Sequence, residues 1–409
     1  MHRRTPKFSP LARAVGVSRP SLDEAVREGV HGLVIEKTGP SASMVIEGRE
    51  LTNMSSYSYL GLDEHPRIME AAAECLNESH ILNSSLSRVR VRLGVLNEVE
   101  ERLSSLFDAD VGTVTSCAAG VWSVLPLLAS GVLSDGVRPV MVFDRYAHFC
   151  LQSMRPLCAA ETEIQTIAHN DIEKLEQICR ENPCVAYVGD GIYSTGGTVA
   201  PMGELMRLQD RYGMYLFLDD AHGTSIIGQK GRGYVLDAMG DINEHTILVT
   251  SLNKGFGATG GAIIFGPRGN PTRRQLALGN GGPFTWSQRV NTPGLGAIIG
   301  SCDIHESPEL IHLQRELQRA TRTFDDHFPL PHANPRSPVR FVPIGNETET
   351  IRSTRLLMDS GYYAEPDGFP AVMWGKAGLR IRLRANMTDS EITQFCAVLS
   401  QHVGGQRDT

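Results

Sequence analysis

Short, unbroken apolar runs alternate along the chain with longer stretches in which apolar residues recur every three or four positions. The runs GTVTS (112–116), PVMVFD (139–144), CVAYVGD (184–190), MYLFLDD (214–220), TILVTS (246–251) and GAIIFG (261–266) have the continuous apolar, β-branched character of strands covered on both faces. Between them, segments such as DIEKLEQICREN (171–182) and MGELMRLQDRYG (202–213) carry helical spacing. HPRIMEAAAECL (65–76) predicts a further helix with Pro66 in its first turn, and NEVEERLSSLF (97–107) another after Gly94. Strands alternating with helical stretches predict an α/β fold with a mostly parallel sheet and helices on both faces.

The pattern weakens at both ends. Residues 1–50 hold a faint helical stretch (LDEAVREGVHGLV) and a short strand-like piece (SMVIEG), which predicts an N-terminal arm. Residues 51–290 form the expected large domain. From 291 to 409 a long helical stretch, the Pro-rich FPLPHANPRSP and strands around VRFVPIG and GLRIRLR predict a smaller α+β C-terminal domain.

Composition narrows the function class. The chain has 409 residues, a formal charge of -7 and eight cysteines without a CxxC pair. A mildly acidic chain does not advertise nucleic acid or an anionic membrane as partner. The cysteine and histidine spacing suits no metal site, so no metal is expected, and the thiols are expected to be reduced. The basic N-terminus lacks the apolar stretch of a signal peptide and no run reaches membrane-spanning length, so a cytoplasmic enzyme is the expectation.

Candidate chemistry gathers after two of the apolar runs. Asp219-Asp220-Ala221-His222 follows MYLFL, and Lys254, among glycines, follows TILVT. Ligand sites in open α/β sheets lie at the carboxyl ends of strands. A lysine amine that can form a Schiff base, with a carboxylate that keeps a pyridine nitrogen protonated, is what pyridoxal phosphate needs. Asp219 and Lys254 supply both. The glycine run 255–260 matches GxGxxG but leads into the strand-like GAIIFG instead of opening a helix, so it does not read as a dinucleotide site.

Asp-x-Ala-His, then Ser-x-x-Lys with glycines, the opening SYLGLDEHP, and in order DRYAHFCL, IAHNDIEKLE, GDGIYSTGGTVAPMGEL and DDAHGTSIIGQKGRG make the chain resemble the α-oxoamine synthases of the fold type I pyridoxal phosphate enzymes, over about residues 50–400. The resemblance implies that Lys254 carries the cofactor and shuttles the substrate α-proton, that Asp219 pairs with the ring nitrogen, that His222 bonds the phenolic oxygen and that His148 stacks on the ring. It places Ser194 near the phenolic oxygen and Ser251 on the phosphate, with the backbone amides of Cys117 and Ala118 at a helix start. It further implies a homodimer with a shared active site, in which Thr285 reaches the partner's phosphate. LRIRLRANMT corresponds to the segment that grips the substrate carboxylate; Arg380 is favoured, with Arg382 and Arg384 as competitors, and a basic stripe along a strand edge is the structural alternative. The implied reaction is a decarboxylative Claisen condensation of an amino acid with an acyl thioester. An aldolase or aminotransferase on the same fold, or a non-catalytic cofactor-binding protein, are the alternatives.

The chain also departs from the family pattern. Asn-Asp-Tyr-Leu-Gly becomes Tyr57-Ser58-Tyr59-Leu60-Gly61, Gly-Ser-Gly-Gly-Ser-Arg becomes Asn83-Ser84-Ser85-Leu86-Ser87-Arg88, Ser-Gly-Phe/Tyr becomes Ser116-Cys117-Ala118, and Ala-x-His-Thr becomes Ala385-Asn386-Met387-Thr388. Tyr57 and Ser87 are thereby expected at the substrate. Added bulk predicts an amino donor other than glycine and an acyl donor on a carrier protein or an unusual CoA ester, with RVRVR (88–92) offering cations to the donor.

Overall fold

A computed structural model describes residues 11–39 and 43–403. It divides into two units, one holding the chain up to Tyr57, Thr195–Gly197 and the chain from Glu316, the other Ser58–Ser194 and Thr198–Arg315.

The larger unit is built on a seven-stranded sheet, in the order Ala109–Val114, Gly261–Pro267, Thr246–Ser251, Tyr215–Asp219, Val185–Asp190, Val140–Asp144, Ile164–Ile167. Gly261–Pro267 runs antiparallel to both neighbours and the remaining pairs are parallel. Each of the six apolar runs contributes to a strand. Ile164–Ile167 was not singled out by the sequence pattern: it is an edge strand, mostly half-buried, so it carries no continuous apolar run. The inner strands 185–190, 215–219 and 246–251 are buried along their whole length.

Helix Cys117–Ala129 covers one face, with Val121, Val124, Leu125 and Leu128 packed in a cluster with Phe143, Val188, Phe217, Val249 and Ile263. Full burial of each such side chain contributes about 1.5–3 kcal/mol. The expected helices form with their local signals. Pro66 is the first residue of Pro66–Ser79, Asp171 caps Ile172–Glu181 through the Lys174 amide, and Gly213 ends Met202–Tyr212 in the left-handed conformation at φ 65°. Residues 255–260 lead straight into the strand Gly261–Pro267, as expected of a turn and not of a dinucleotide fingerprint.

Arg88, the first cation of RVRVR, is not on the surface. It is buried, donates to the Thr113 carbonyl at 2.8 Å, pairs with Glu100 and lies 4.1 Å from the centre of the Phe284 ring. Glu100 in turn accepts from the Thr113 amide at 2.8 Å. This buried pair fixes the edge strand, and of the three arginines only Arg90 and Arg92 are exposed.

The smaller unit holds helix Leu11–Arg27, a four-stranded sheet (Lys37–Thr38, Ser43–Ile46, Arg49–Asn53, Tyr362–Tyr363) and a three-stranded antiparallel sheet with Ala377–Arg382 between Val339–Gly345 and Glu365–Asp367. Ala25, Val30, Met44, Ile46, Leu51, Ile351 and Met358 form one of its cores.

In the larger unit His305 ends helix Thr292–His305 in full burial, its Nδ1 2.8 Å from the Ser301 carbonyl and its Nε2 2.8 Å from the Ser225 hydroxyl. Nδ1 donates to the carbonyl, and in the neutral ring that burial favours Nε2 accepts from the hydroxyl. Burial lowers its pKa from 6.5 to about 4. A base with a depressed folded pKa gives stability that is complete above pH 6.5 and is lost as pH falls toward 4, because only the unfolded chain takes up the proton. Thermal unfolding at pH 7 and pH 5 should therefore show a smaller acid-induced drop for His305→Gln than for the unaltered protein; equal drops would contradict this account.

Candidate active site

Strand register brings the acidic residues together. Asp219 is the last residue of its strand and lies opposite Asp190 on one side and Val249 on the other. The Ala221 amide donates to Asp219 Oδ1 at 2.9 Å and fixes the plane of the carboxylate. Its other oxygen, Oδ2, accepts from Cys117 Sγ at 3.3 Å and Cys150 Sγ at 3.6 Å. Asp220 is different: its Oδ2 accepts from the Val235 amide at 3.1 Å, and a Cβ placed on Gly191, Gly223 or Gly233 would come within 2.4 Å of its carboxylate. Glycine is required at all three because the backbone closes around Asp220, which makes it a structural residue.

His222 follows in the same turn. Lys254 Nζ lies 2.9 Å from His222 Nε2, and His222 Nδ1 lies 2.5 Å from the hydroxyl of Tyr59, which is fully buried. Tyr59 meets the imidazole edge-on, with ring centres 5.8 Å apart. An imidazole bonded at both nitrogens can take a proton on one and release it from the other. Amine, imidazole and phenol thus form a line along which a proton can move.

His148 caps the short helix Phe149–Gln152, with Nδ1 accepting from the Cys150 amide at 3.2 Å and lying 3.0 Å from Cys150 Sγ. Its amide donates to Asp190 Oδ1 at 3.1 Å. The residue as a whole is exposed, while its Nδ1 edge is turned inward against Cys150. Hydrogen bonding to Cys150 raises the His148 pKa against the effect of burial. Burial, followed by the charge of Asp219, pushes the Asp190 carboxyl well above its ordinary value. The hydrogen bond to Cys150, burial and Asp219 do the same to the Cys117 thiol. The Cys150 thiol is shifted downward, foremost by its bond to Cys117.

The strand Ala109–Val114 runs through Thr115 and Ser116 into helix Cys117–Ala129. Ser116 caps the helix by accepting from the Ala119 amide at 3.1 Å. The amides of Cys117 and Ala118 lie ahead of it, in the turn that a helix leaves without internal acceptors. Gly261 passes close by: a Cβ there would lie 2.5 Å from the Cys117 nitrogen. The helix start can come this near to the glycine turn only because residue 261 has no side chain.

Other expected site residues take varied positions. Ser251 is buried, and its hydroxyl bonds the Asn253 side chain. Ser194 is half-buried, just beyond the bridge residue Ile192. The hydroxyl of Thr285 is buried and donates to the carbonyls of Ala277 and Leu278 at 3.1 and 2.7 Å, so its proton is committed within its own chain. Ser87 Oγ is buried. In the smaller unit Tyr57 is exposed, with the Arg382 guanidinium 5.9 Å from its ring centre. Arg380 pairs with Asp367 at 2.9 Å and Glu365 at 3.1 Å, Arg382 with Glu365 at 2.9 Å, and Arg384 Nε bonds Asn386 at 3.2 Å. The strand carrying the first two is the middle one of its sheet, and Arg382 and Arg384 are buried, so these arginines do not form an exposed edge stripe.

Tyr59, Cys150 and Asp190 were missed from sequence. Tyr59 stands within the SYLGL motif, and its signal was the motif itself. Asp190 closes a strand one register away from Asp219, and Cys150 is two residues from His148. Among the described residues, His148, Cys150 and Asp219 present metal-ligating atoms within 4.8 Å of one another, a grouping that the residue spacing gave no reason to expect.

The donor set fits pyridoxal phosphate. A lysine amine, a carboxylate with a fixed plane, two imidazoles and a helix start beside a glycine turn all stand in the larger unit, around the carboxyl ends of the strands. Residues 49–399 match the model of the aminotransferase class I and II family. The chain is 26% identical over 370 residues to an 8-amino-7-oxononanoate synthase of Symbiobacterium thermophilum, covering 87% of this chain and 89% of that protein. A second enzyme of that name, from Geobacter sulfurreducens, is 27% identical over 394 residues, covering 93% and 96%. Among solved structures, the fold is similar to that of a serine palmitoyltransferase from S. paucimobilis, with a TM-score of 0.83 at 19% identity over 97% of this chain and all of that one. It is also similar to an 8-amino-7-oxononanoate synthase of Francisella tularensis, with a TM-score of 0.70 at 16% identity over 87% and 98%. Matched over most of its length and carrying these residues at its strand ends, the chain belongs to the aminotransferase class I and II family, within its α-oxoamine synthase branch, and its cofactor is pyridoxal phosphate.

Proposed function

We propose that this chain is an acyltransferase that joins an amino acid to an acyl thioester with loss of carbon dioxide, releasing a thiol and an α-aminoketone. The observation that carries the reading is the line from Lys254 through His222 to Tyr59 in the same unit as the pinned carboxylate of Asp219. The named activities of the related enzymes support the same reaction class.

When bound, pyridoxal phosphate supplies an electrophilic aldehyde and a ring that withdraws electrons from the substrate α-carbon. Lys254 is the amine assigned to hold it, and Asp219 the carboxylate assigned to keep the ring nitrogen protonated. His222 is assigned to its phenolic oxygen together with Ser194, and His148 to the ring face. Ser251 and the amides of Cys117 and Ala118 are assigned to the phosphate. The Thr285 hydroxyl, bonded to its own chain, is left out of that set. A proton that Lys254 takes from the substrate α-carbon can pass to His222 Nε2, 2.9 Å away, while Tyr59 compensates at Nδ1. His148, with its raised pKa, can stabilise negative charge as the condensation proceeds. Arg380 is assigned to the substrate carboxylate, because a guanidinium grips a carboxylate with two parallel bonds.

We further propose that the donor is a carrier-protein thioester or an unusual CoA ester and that the amino donor is not glycine, from the bulk of Tyr57 and Leu86. Arg90 and Arg92 are the exposed cations of that segment. The enzyme is proposed to act as a cytoplasmic homodimer.

The reaction is tested by offering amino acids with CoA-bound and carrier-bound acyl donors while following carbon dioxide and free thiol. Both should appear in equal amounts with a carrier-bound or unusual donor, and Lys254→Ala should abolish them together with the borohydride-reducible link to the cofactor. Amino-group exchange or aldol cleavage without thiol release would move the protein to an aminotransferase or aldolase. Condensation of glycine with common acyl-CoA alone would refute the donor assignment.

Asp219→Asn should cut turnover by at least about a hundredfold with cofactor bound, as expected when a group that supports a charge is neutralised, whereas Asp220→Asn should act mainly on stability. Equal loss of turnover in both folded, loaded variants would contradict the division of roles. Light scattering should return twice the 44.7 kDa chain mass at assay concentration. A fully active monomer would exclude a shared active site.

A further inference from the structure

The function assigned above gives no part to the two thiols beside Asp219. Cys117 Sγ at 3.3 Å and Cys150 Sγ at 3.6 Å both face Oδ2 of that carboxylate, and the Ala221 amide holds Oδ1 at 2.9 Å. The two cysteines come from different elements, the first residue of helix Cys117–Ala129 and the short helix Phe149–Gln152. Where this chain has Ser116-Cys117-Ala118, the pattern it resembles has glycine in the middle, so the nearer thiol is an addition to that pattern.

We infer that Cys117 and Cys150 are positioning residues that act through Asp219, donating hydrogen bonds to Oδ2 and thereby limiting how strongly it holds the proton of the cofactor ring nitrogen. The inference rests on the assignment of Asp219 to that nitrogen.

The physical argument is about carboxylate basicity. Each hydrogen bond donated to a carboxylate stabilises its charged form and makes it a poorer partner for a further proton. A thiol is a weak donor, so it weakens the carboxylate by degrees without neutralising it. The thiol protons have other options: the two sulfurs bond one another, and His148 Nδ1 lies 3.0 Å from the Cys150 sulfur and accepts from the Cys150 amide. When Cys150 turns its proton to His148, Cys117 remains the donor to Asp219. The imidazole assigned to the ring face and the carboxylate assigned to the ring nitrogen are thus coupled through the Cys150 sulfur, with Cys117 as the second donor to the carboxylate. The other charged groups acting on the cluster are Asp190, which lies opposite Asp219 in the sheet, and Lys254.

The test is a graded series at one position. Holoenzyme loaded with pyridoxal phosphate carrying 15N in the ring is compared by NMR for the unaltered protein, Cys117→Gly, Cys117→Ala and Cys117→Ser. Gly and Ala remove a donor, so the ring 15N resonance should move toward the pyridinium limit, with about a tenfold shift in the protonation equilibrium for loss of a hydrogen bond to a charged group. Ser supplies a stronger donor and should move the resonance the opposite way. Cys117→Gly restores the family residue and guards against loss of folding. Cys150→Ala and Cys150→Ser should repeat the order with smaller displacements, in keeping with the longer contact. An unchanged resonance across the loaded series, or Gly, Ala and Ser all moving it in one direction, overturns the inference. Failure of the Asp219 assignment itself is seen separately, because Asp219→Asn would then leave the ring resonance of the loaded enzyme where it was.

Discussion

Burial of the inner strands is the constraint on which the active site rests. Strands 185–190, 215–219 and 246–251 are buried throughout, which leaves no room along their length for a polar ligand group. Polar chemistry therefore begins where the strands stop. Parallel pairing makes neighbouring strands stop at the same end, so Asp190, Asp219 and Ser251 emerge near one another, and the turns that follow supply His222 and Lys254.

That arrangement concentrates titratable groups where solvent is scarce, and the structure answers with short-range partners. Asp219 takes an amide and two thiols, Asp220 an amide, and His222 a hydroxyl and an amine. Buried polar groups without partners would cost several kcal/mol. The same bonds orient the groups, so satisfaction of burial and preorganisation for chemistry have one structural origin. Away from the site, Arg88 with Glu100 and His305 with Ser225 and Ser301 show the same solution used for architecture alone.

The division between Asp219 and Asp220 illustrates how local geometry separates chemically identical neighbours. Successive residues at a strand end point to opposite sides. One carboxylate faces the thiols of two helices, and the other is enclosed by three glycines. The metal-like spacing of His148, Cys150 and Asp219 arises from the same convergence, and two of its three members are those proposed to meet the cofactor.

By itself the sequence determined the alternating α/β architecture, six of the seven strands of the large sheet, the helix start marked by Pro66, and the placing of Asp219 and Lys254 after two buried strands. Each of these is a local signal, carried by apolar runs, capping residues or a contiguous motif. The edge strand 164–167 escaped because half-burial leaves no continuous apolar run, and Arg88 looked like a surface cation because its partner Glu100 is one helix away. The tertiary structure alone decided that Tyr59 would meet His222 and that Cys117 and Cys150 would share one carboxylate oxygen. Those contacts join residues brought together by sheet register and helix packing, and no pattern along the chain records a distance between segments that far apart.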